Sequence, residues 1–302
     1  MTENSLAYDL CHSLRFFEGL FLICNILFMK KILLAFDGQH FSKGVFEFVK
    51  QMNKHQSVLA TGISLPAVDY VELLYSYGGI PAGPIYINDA INVDDRLVKE
   101  NIDRFTELCK QNGIACKIHN DFTKHVLSQV REETLFADLL VISSKSFYEN
   151  LGEETQDDYV DNVLHKSECP VILVPEDYKE PANIIMAYDG SSQSVFAIKQ
   201  FSYLFPEFHD KQALLVYIDK GKSDLPERAN IEELISGCFP RFSIFKLKID
   251  ARKDMEQWLI SNGDTLLVAG AFGRSLFSEM LKKSFIKDVL HHHKVPIFVA
   301  HK

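Results

Sequence analysis

Two glycines near the end of the chain, Gly270 and Gly273, stand three apart in the run Gly-Ala-Phe-Gly. Nine residues follow, 274–282, and then Lys283 and Ser284. This spacing suits anion binding. Glycines let backbone N–H groups come close to a phosphate. Ser284 can cap the helix that follows, whose first N–H groups lack partners and whose end carries about half a positive charge. Arg274, Lys282 and Lys283 add charge around the glycines, either as a phosphate clamp or as solvated surface. A GxxG pair alone also fits a tight turn after a strand, so the pattern gains meaning only from the elements that hold it.

Those elements occur twice. Residues 30–38 read KKILLAFDG and 182–190 read ANIIMAYDG, two short apolar runs closed by Asp-Gly at an offset of 152. Residues 138–144 (DLLVISS) match 264–270 (DTLLVAG), and 162–174 (NVLHKSECPVILV) match 288–300 (DVLHHHKVPIFVA), both at an offset of 126. Three pairs in the same order indicate two copies of one unit. The second copy lacks 26 residues, and the glycine- and proline-rich stretch 65–92 reads as the long loop it is missing. Strands are predicted at 32–36, 58–64, 115–119, 139–143 and 171–174, and again at 184–188, 213–218, 243–249, 265–269 and 297–300. Helices are predicted near 42–53, 93–112, 124–134 and 159–165, then near 192–204, 231–237, 251–262 and 285–293. Alternating strands and helices predict βαβ units and an α/β fold with doubly wound parallel sheets. In such sheets ligands bind beyond the carboxyl ends of the strands, where the strand order switches.

On these residues the chain resembles the universal stress proteins. Members that bind ATP carry Gly-x-x-Gly, nine residues, then Gly-Ser or Gly-Thr before a helix and a final proline-containing strand. Gly270, Gly273, Ser284 and Pro296 fall on that pattern. The resemblance runs from about Met29 to Lys302. It implies two tandem five-stranded Rossmann-like domains, 29–178 and 179–302, joined as an internal pseudo-dimer through the last strands, 171–174 and 297–300. It implies that Asp189, with Gly190, lies near a nucleobase and that the second-strand contact falls near Tyr217. ATP, with any Mg²⁺ it carries, would bind in the second domain only. Such a protein acts in stress response, in the cytoplasm, through protein partners, and two chains can associate. A scaffold of the same fold that binds no nucleotide is the alternative.

One departure bears on the ligand. Lys283 stands where these proteins have glycine. Its side chain either obstructs the phosphates or adds a charge to them. The first copy departs further, with Ser144, Phe147, Asp157 and Asp158 at the positions of Gly270, Gly273, Lys283 and Ser284. Glu153 and Glu154 lie just before. Two like charges about 4 Å apart repel by about 1 kcal/mol even in bulk water, so the first copy is not expected to hold ATP.

Other residues read more plainly. Asp37-Gly38 and Asp189-Gly190-Ser191-Ser192 suit turns and helix caps as well as ligands. His291, His292 and His293 point about 100° apart on a helix and do not converge on one metal. No HExxH, P-loop or nucleophile elbow occurs, so catalysis beyond weak ATP hydrolysis is not expected. A Ser-Gly-Gly-x-Asp-Ser loop of the ATP-pyrophosphatase kind is also missing after the first strands.

Bulk properties agree. The chain has 302 residues, 47% of them hydrophobic, with a net charge of -9 that disfavours nucleic acid as a partner. Its six scattered cysteines form no CxxC pair and read as free, mostly buried thiols of a reducing compartment. Residues 16–28 are apolar but short and interrupted by Glu18 and Asn25, so no membrane span is expected. Residues 1–28 read as an extension upstream of Met29, with a membrane-surface segment or a packed helix as the other readings.

Overall fold

The computed structural model describes residues 29–36, 41–64, 95–119, 126–144, 163–164, 166–219, 225–248, 264–270 and 295–300. Ten strands form one sheet in the order β3-β2-β1-β4-β5-β10-β9-β6-β7-β8. In the first half these are β1 (Lys30–Phe36), β2 (Val58–Ser64), β3 (Ala115–His119), β4 (Leu139–Ser143) and β5 (Val171–Val174). In the second half they are β6 (Asn183–Tyr188), β7 (Gln212–Asp219), β8 (Phe242–Lys248), β9 (Thr265–Gly270) and β10 (Ile297–Ala300). Read outward from the centre, the two halves repeat one strand order. Every pairing within a half is parallel.

The halves join where β5 and β10 pair antiparallel, with Ile297 opposite Leu173 and Val299 opposite Val171. This is the pairing of last strands that the resemblance implies. The physical reason lies in the edges. Each five-stranded half would otherwise expose β5 or β10, both completely buried apolar runs, as a template for aggregation. Aromatic rings fill the joint. Phe48 of the first half lies 5.9 Å from Phe205 of the second, centroid to centroid, and Phe205 lies 5.8 Å from Phe298 of β10.

Five helices are described: α1 (Lys43–His55), α2 (Asp95–Gln111), α3 (Val126–Thr134), α4 (Ser192–Leu204) and α5 (Arg228–Cys238). Successive residues of each central strand feed opposite cores, because side chains alternate across a sheet. Ile32, Leu34, Val268 and Phe298 join the core that α1, α2, α4 and α5 cover. Leu33, Leu267, Ile297 and Val299 join the core on the other face, with Val130 of α3.

The sequence reading places these strands and helices within three residues at each end. Its errors have local causes. β7 extends over Gln212 and Asp219, polar residues at the ends of an apolar run. α5 begins at Arg228 rather than near 231, because the turn before it is set by Glu227 in the left-handed region (φ 48°, ψ 40°) and not by a capping side chain. A 3-10 turn at Pro206–Phe208, with proline in its first turn, follows α4 and has no sequence prediction. The loop 65–92, the helices near 251–262 and 285–293, most of the helix near 159–165 and the extension 1–28 lie outside the described residues.

Candidate functional site

The second half folds from β6 outward to β7 and β8, then returns to β9 on the other side of β6. The carboxyl ends of β6 and β9 therefore flank the switch point, where open α/β sheets hold ligands. Asp189 follows β6 and Gly270 ends β9, so two residues far apart in sequence meet at this edge. Tyr217 is level with Tyr188 in the neighbouring strand β7.

Local chemistry fixes the β6–α4 turn. The Ser191 backbone N–H donates to Asp189 Oδ1 at 2.8 Å, and Gly190 turns the chain at φ +80°, where other residues are strained. Ser191 then caps α4, its Oγ accepting from the Ser194 N–H at 3.2 Å. A Cβ on Gly190 would meet Pro226 Cβ at 2.7 Å. The Tyr188 hydroxyl donates to the Pro226 carbonyl at 2.8 Å and ties the same edge to the start of α5. Burial, then the nearby Glu227 and Asp189 carboxylates, pushes the Tyr188 phenol up, so it stays a neutral donor.

Gly270 has a use the sequence reading did not assign. A Cβ there would lie 2.6 Å from the Gln193 carbonyl carbon and 2.7 Å from the Gln193 oxygen and the Ser194 nitrogen. The first turn of α4 rests directly on the end of β9. The glycine is therefore required by helix packing, whatever it does for a ligand. Tyr217 is also used inward. Its ring is buried in the core under α4 and α5, so the end of β7 offers a ligand its backbone.

A cleft of about 480 Å³ opens beside this edge, between α4 and α5. That lies within the usual range for small-ligand sites, roughly 300–1,000 Å³. Gly190, Ser191, Ser192, Phe196 and Ile231 line it, and Lys199 is a cation among the lining residues. Glu227 lines the cleft too, held in its left-handed turn with Asn230 donating to its carboxylate at 3.0 Å. The cleft shares Gly190 with the switch-point turn, while Asp189 and Gly270 are not among its lining residues. Gly273, Arg274, Lys282, Lys283 and Ser284, which the sequence reading assigns to the phosphates, lie outside the described residues. So do Asp37-Gly38, the histidines 291–293 and, in the first half, Phe147, Asp157 and Asp158.

At the corresponding edge of the first half a carboxylate takes the start of the helix. Glu176, two residues past β5, accepts from the Lys43 N–H at 3.2 Å and from Ser143 Oγ at 2.9 Å. Its carboxylate therefore sits at the N-terminus of α1, beside the cap that Ser42 gives to the Val45 N–H at 3.2 Å. Ser144, at the position of Gly270, is buried, and its hydroxyl has no hydrogen-bond partner among the described residues. Sequence reasoning missed Glu176 because it looked for charge only in the segment equivalent to the glycine pattern.

No family profile matches the sequence, and no curated protein matches it. Solved structures do. A universal stress protein from Archaeoglobus fulgidus DSM 4304 is similar at 12% identity, over 90% of this chain and 96% of that one, with a TM-score of 0.60. The chain has the universal stress protein fold. A protein from Pseudomonas aeruginosa UCBPP-PA14, provisionally assigned as a universal stress protein, matches at 10% identity over 90% and 93% of the two chains, with a TM-score of 0.48. A functionally unknown protein from Pseudomonas aeruginosa PAO1 matches at 10% identity over 90% and 92%, with a TM-score of 0.49. At 12% identity, the fold is what this chain shares with the Archaeoglobus fulgidus protein. Among the described residues, no helix is long and apolar enough to cross a membrane, and no group of three or more His, Cys, Asp or Glu is placed to hold a metal.

Proposed function

We propose that this chain is a cytoplasmic stress-response protein of the universal stress type that binds one adenine nucleotide, in its second half. The observation that carries this reading is the asymmetry of the two switch points. In the first half the Glu176 carboxylate takes the N-terminus of α1, with Ser143 as its second partner. In the second half Asp189, Gly190 and Gly270 meet at the edge beside an open cleft, and the sequence continues into Gly273, Lys283 and Ser284. Bound there, ATP and its Mg²⁺ would act as a signal that changes the surface seen by a protein partner. Nothing in the reading requires a catalytic residue.

A second reading has its own support. Asp189, Ser191 and Gly270 all have local structural uses, in a turn, a cap and a helix contact. A scaffold that works through a protein partner without nucleotide would keep them for those uses alone. Two measurements separate the readings. The purified protein is denatured and assayed for released nucleotide, and ATP is titrated by calorimetry into wild type and Gly273→Arg. Nucleotide binding that Gly273→Arg abolishes supports the first reading. No released nucleotide and no heat leave the scaffold. Binding that survives the substitution moves the pocket elsewhere.

A further inference from the structure

The C-terminus of α2 brings two thiols together. The helix ends at Gln111, and Gly113 follows at φ +65°. The Ile114 N–H donates to the Cys109 carbonyl at 2.9 Å and the Gly113 N–H to the Lys110 carbonyl at 3.3 Å. This pair of bonds is a Schellman cap, which folds the residue after the turn back over the last turn of the helix. Here it lays buried Ile114 over Cys109. Side chains alternate along a strand, so Cys116, two residues on, shares the face of Ile114. Cys116 and Ile118 are half-buried and pack toward the core that holds Cys109, while Ala115 and Lys117 are exposed. The two residues share one packed core, with Cys109 inside it and Cys116 against it, and Cys116 is the thiol neighbouring Cys109.

Their surroundings differ. Cys109 is fully buried on the last turns of α2. Burial, and then the neighbouring Cys116, pushes its thiol up to about 12. Cys116 lies on β3, an edge strand of the sheet, and is partly open to solvent. Cys169 makes a contrast: it is buried, pushed up to about 12 by burial, and its sulfur contacts the Ser167 hydroxyl rather than a second thiol.

We propose that Cys109 and Cys116 are an oxidisable dithiol, in which a peroxide oxidises Cys116 and Cys109 resolves the product to an intramolecular disulfide. The atoms balance. The Cys116 sulfur attacks one peroxide oxygen, the O–O bond breaks, and a sulfenic acid and water form from the thiol and hydrogen peroxide. The Cys109 sulfur then attacks the Cys116 sulfur. The S–O bond breaks, the S–S bond forms, and the hydroxyl leaves as water with the Cys109 proton. Two thiols lose two electrons to one peroxide, giving one disulfide and two waters. The bond would staple the edge strand β3 to α2. The order of steps follows from access and charge. Burial pushes the Cys109 thiol up and keeps it protonated, so it attacks peroxide more slowly than a solvent-accessible thiol. Cys109 is therefore a poor first target for peroxide and becomes useful only beside an activated partner.

The sequence supplies a clean readout. Lys110 lies between the two cysteines, with Arg104 before and Lys117 after, so trypsin separates the peptides FTELCK and QNGIACK, each with one cysteine. The full-length folded protein is treated with hydrogen peroxide, alkylated, digested without reductant and analysed by mass spectrometry. The expected product is the FTELCK–QNGIACK disulfide, two hydrogens lighter than the sum of the peptides and returned to free thiols by dithiothreitol. Cys116→Ser is expected to leave Cys109 reduced. Cys109→Ser is expected to trap Cys116 as a sulfenic acid, captured by dimedone, or to carry it on to sulfinic acid. Circular dichroism of both variants checks that they fold. Over-oxidation of Cys116 in wild type with Cys109 still reduced would overturn the proposal. So would a Cys116–Cys116 bond between two chains as the main product.

Discussion

Gly270→Ala isolates the packing role that the structure gives this glycine. The added methyl would stand 2.6–2.7 Å from three backbone atoms of Gln193 and Ser194. Ordinary carbon contacts are about 3.5 Å, so the first turn of α4 must withdraw by roughly 0.9 Å. Backbone cannot rotate away as a side chain can. The displaced helix carries Ala197, Ile198 and Phe201, all buried at 1% exposure or less. A gap of 0.5–1 Å forfeits about a quarter to a half of each contact it opens, and over-packed sites cost about 1–3 kcal/mol. We expect Gly270→Ala to lose about 2–3 kcal/mol, which at roughly 2–4 °C per kcal/mol lowers Tm by about 4–12 °C. Gly237→Ala is the control. A Cβ there meets nothing within 4 Å, and the position is helical, so this change is expected to raise stability by up to about 1 kcal/mol. Both are read by calorimetric melting in the absence of nucleotide. An unchanged or higher Tm for Gly270→Ala would refute the packing argument and return the glycine to the ligand alone.

Gly44→Ala should be harsher still, because its Cβ would lie 1.9 Å from the Pro175 oxygen; a Tm within 2 °C of wild type, less than about 1 kcal/mol, would contradict that. Glu176→Ala removes the carboxylate from the start of α1 and with it the bonds it accepts from the Lys43 N–H and the Ser143 hydroxyl, so a loss of about 1–2 kcal/mol is expected in urea unfolding. No loss would mean that the contact is only geometric. Glu207 gives a pH test. Burial pushes its carboxyl up despite its own backbone bond and the nearby Lys30, so the ionised form is a cost above the folded-state pKa and is relieved as pH falls through it. Glu207→Gln is thus expected to raise Tm at neutral pH, with the gain shrinking toward the ordinary carboxylate range. A gain that grows on acidification would reverse the sign of the argument.

The parts of the fold legible in the sequence were those written in uninterrupted apolar runs. LLVIS and VILV name buried parallel strands almost without help, since helices cover both faces. The pairing of the last strands came from resemblance, whereas the strand order and the antiparallel direction of the joint are seen only in the structure. Nothing in a four-residue apolar run says which neighbour it takes. Glu227 was illegible because a left-handed glutamate before a helix follows no propensity. At the site, Asp189 and Ser191 form the turn and the cap that the sequence offered beside a ligand role. Gly270 was read as open to a phosphate because a sequence does not show the helix lying on it. Cys109 and Cys116 were passed over as scattered thiols. Their signal was present as Asn112-Gly113 after a helix, a cap that places two cysteines on facing surfaces.

The central claim is one nucleotide per chain, held by the second half while Glu176 closes the first. Native mass spectrometry of the full-length protein titrated with ATP and Mg²⁺ tests it most directly. The account predicts a single adduct of one ATP that saturates and is lost in Gly273→Arg. Two equivalent adducts would show that the first half is open. No adduct at saturating ATP would contradict nucleotide binding altogether.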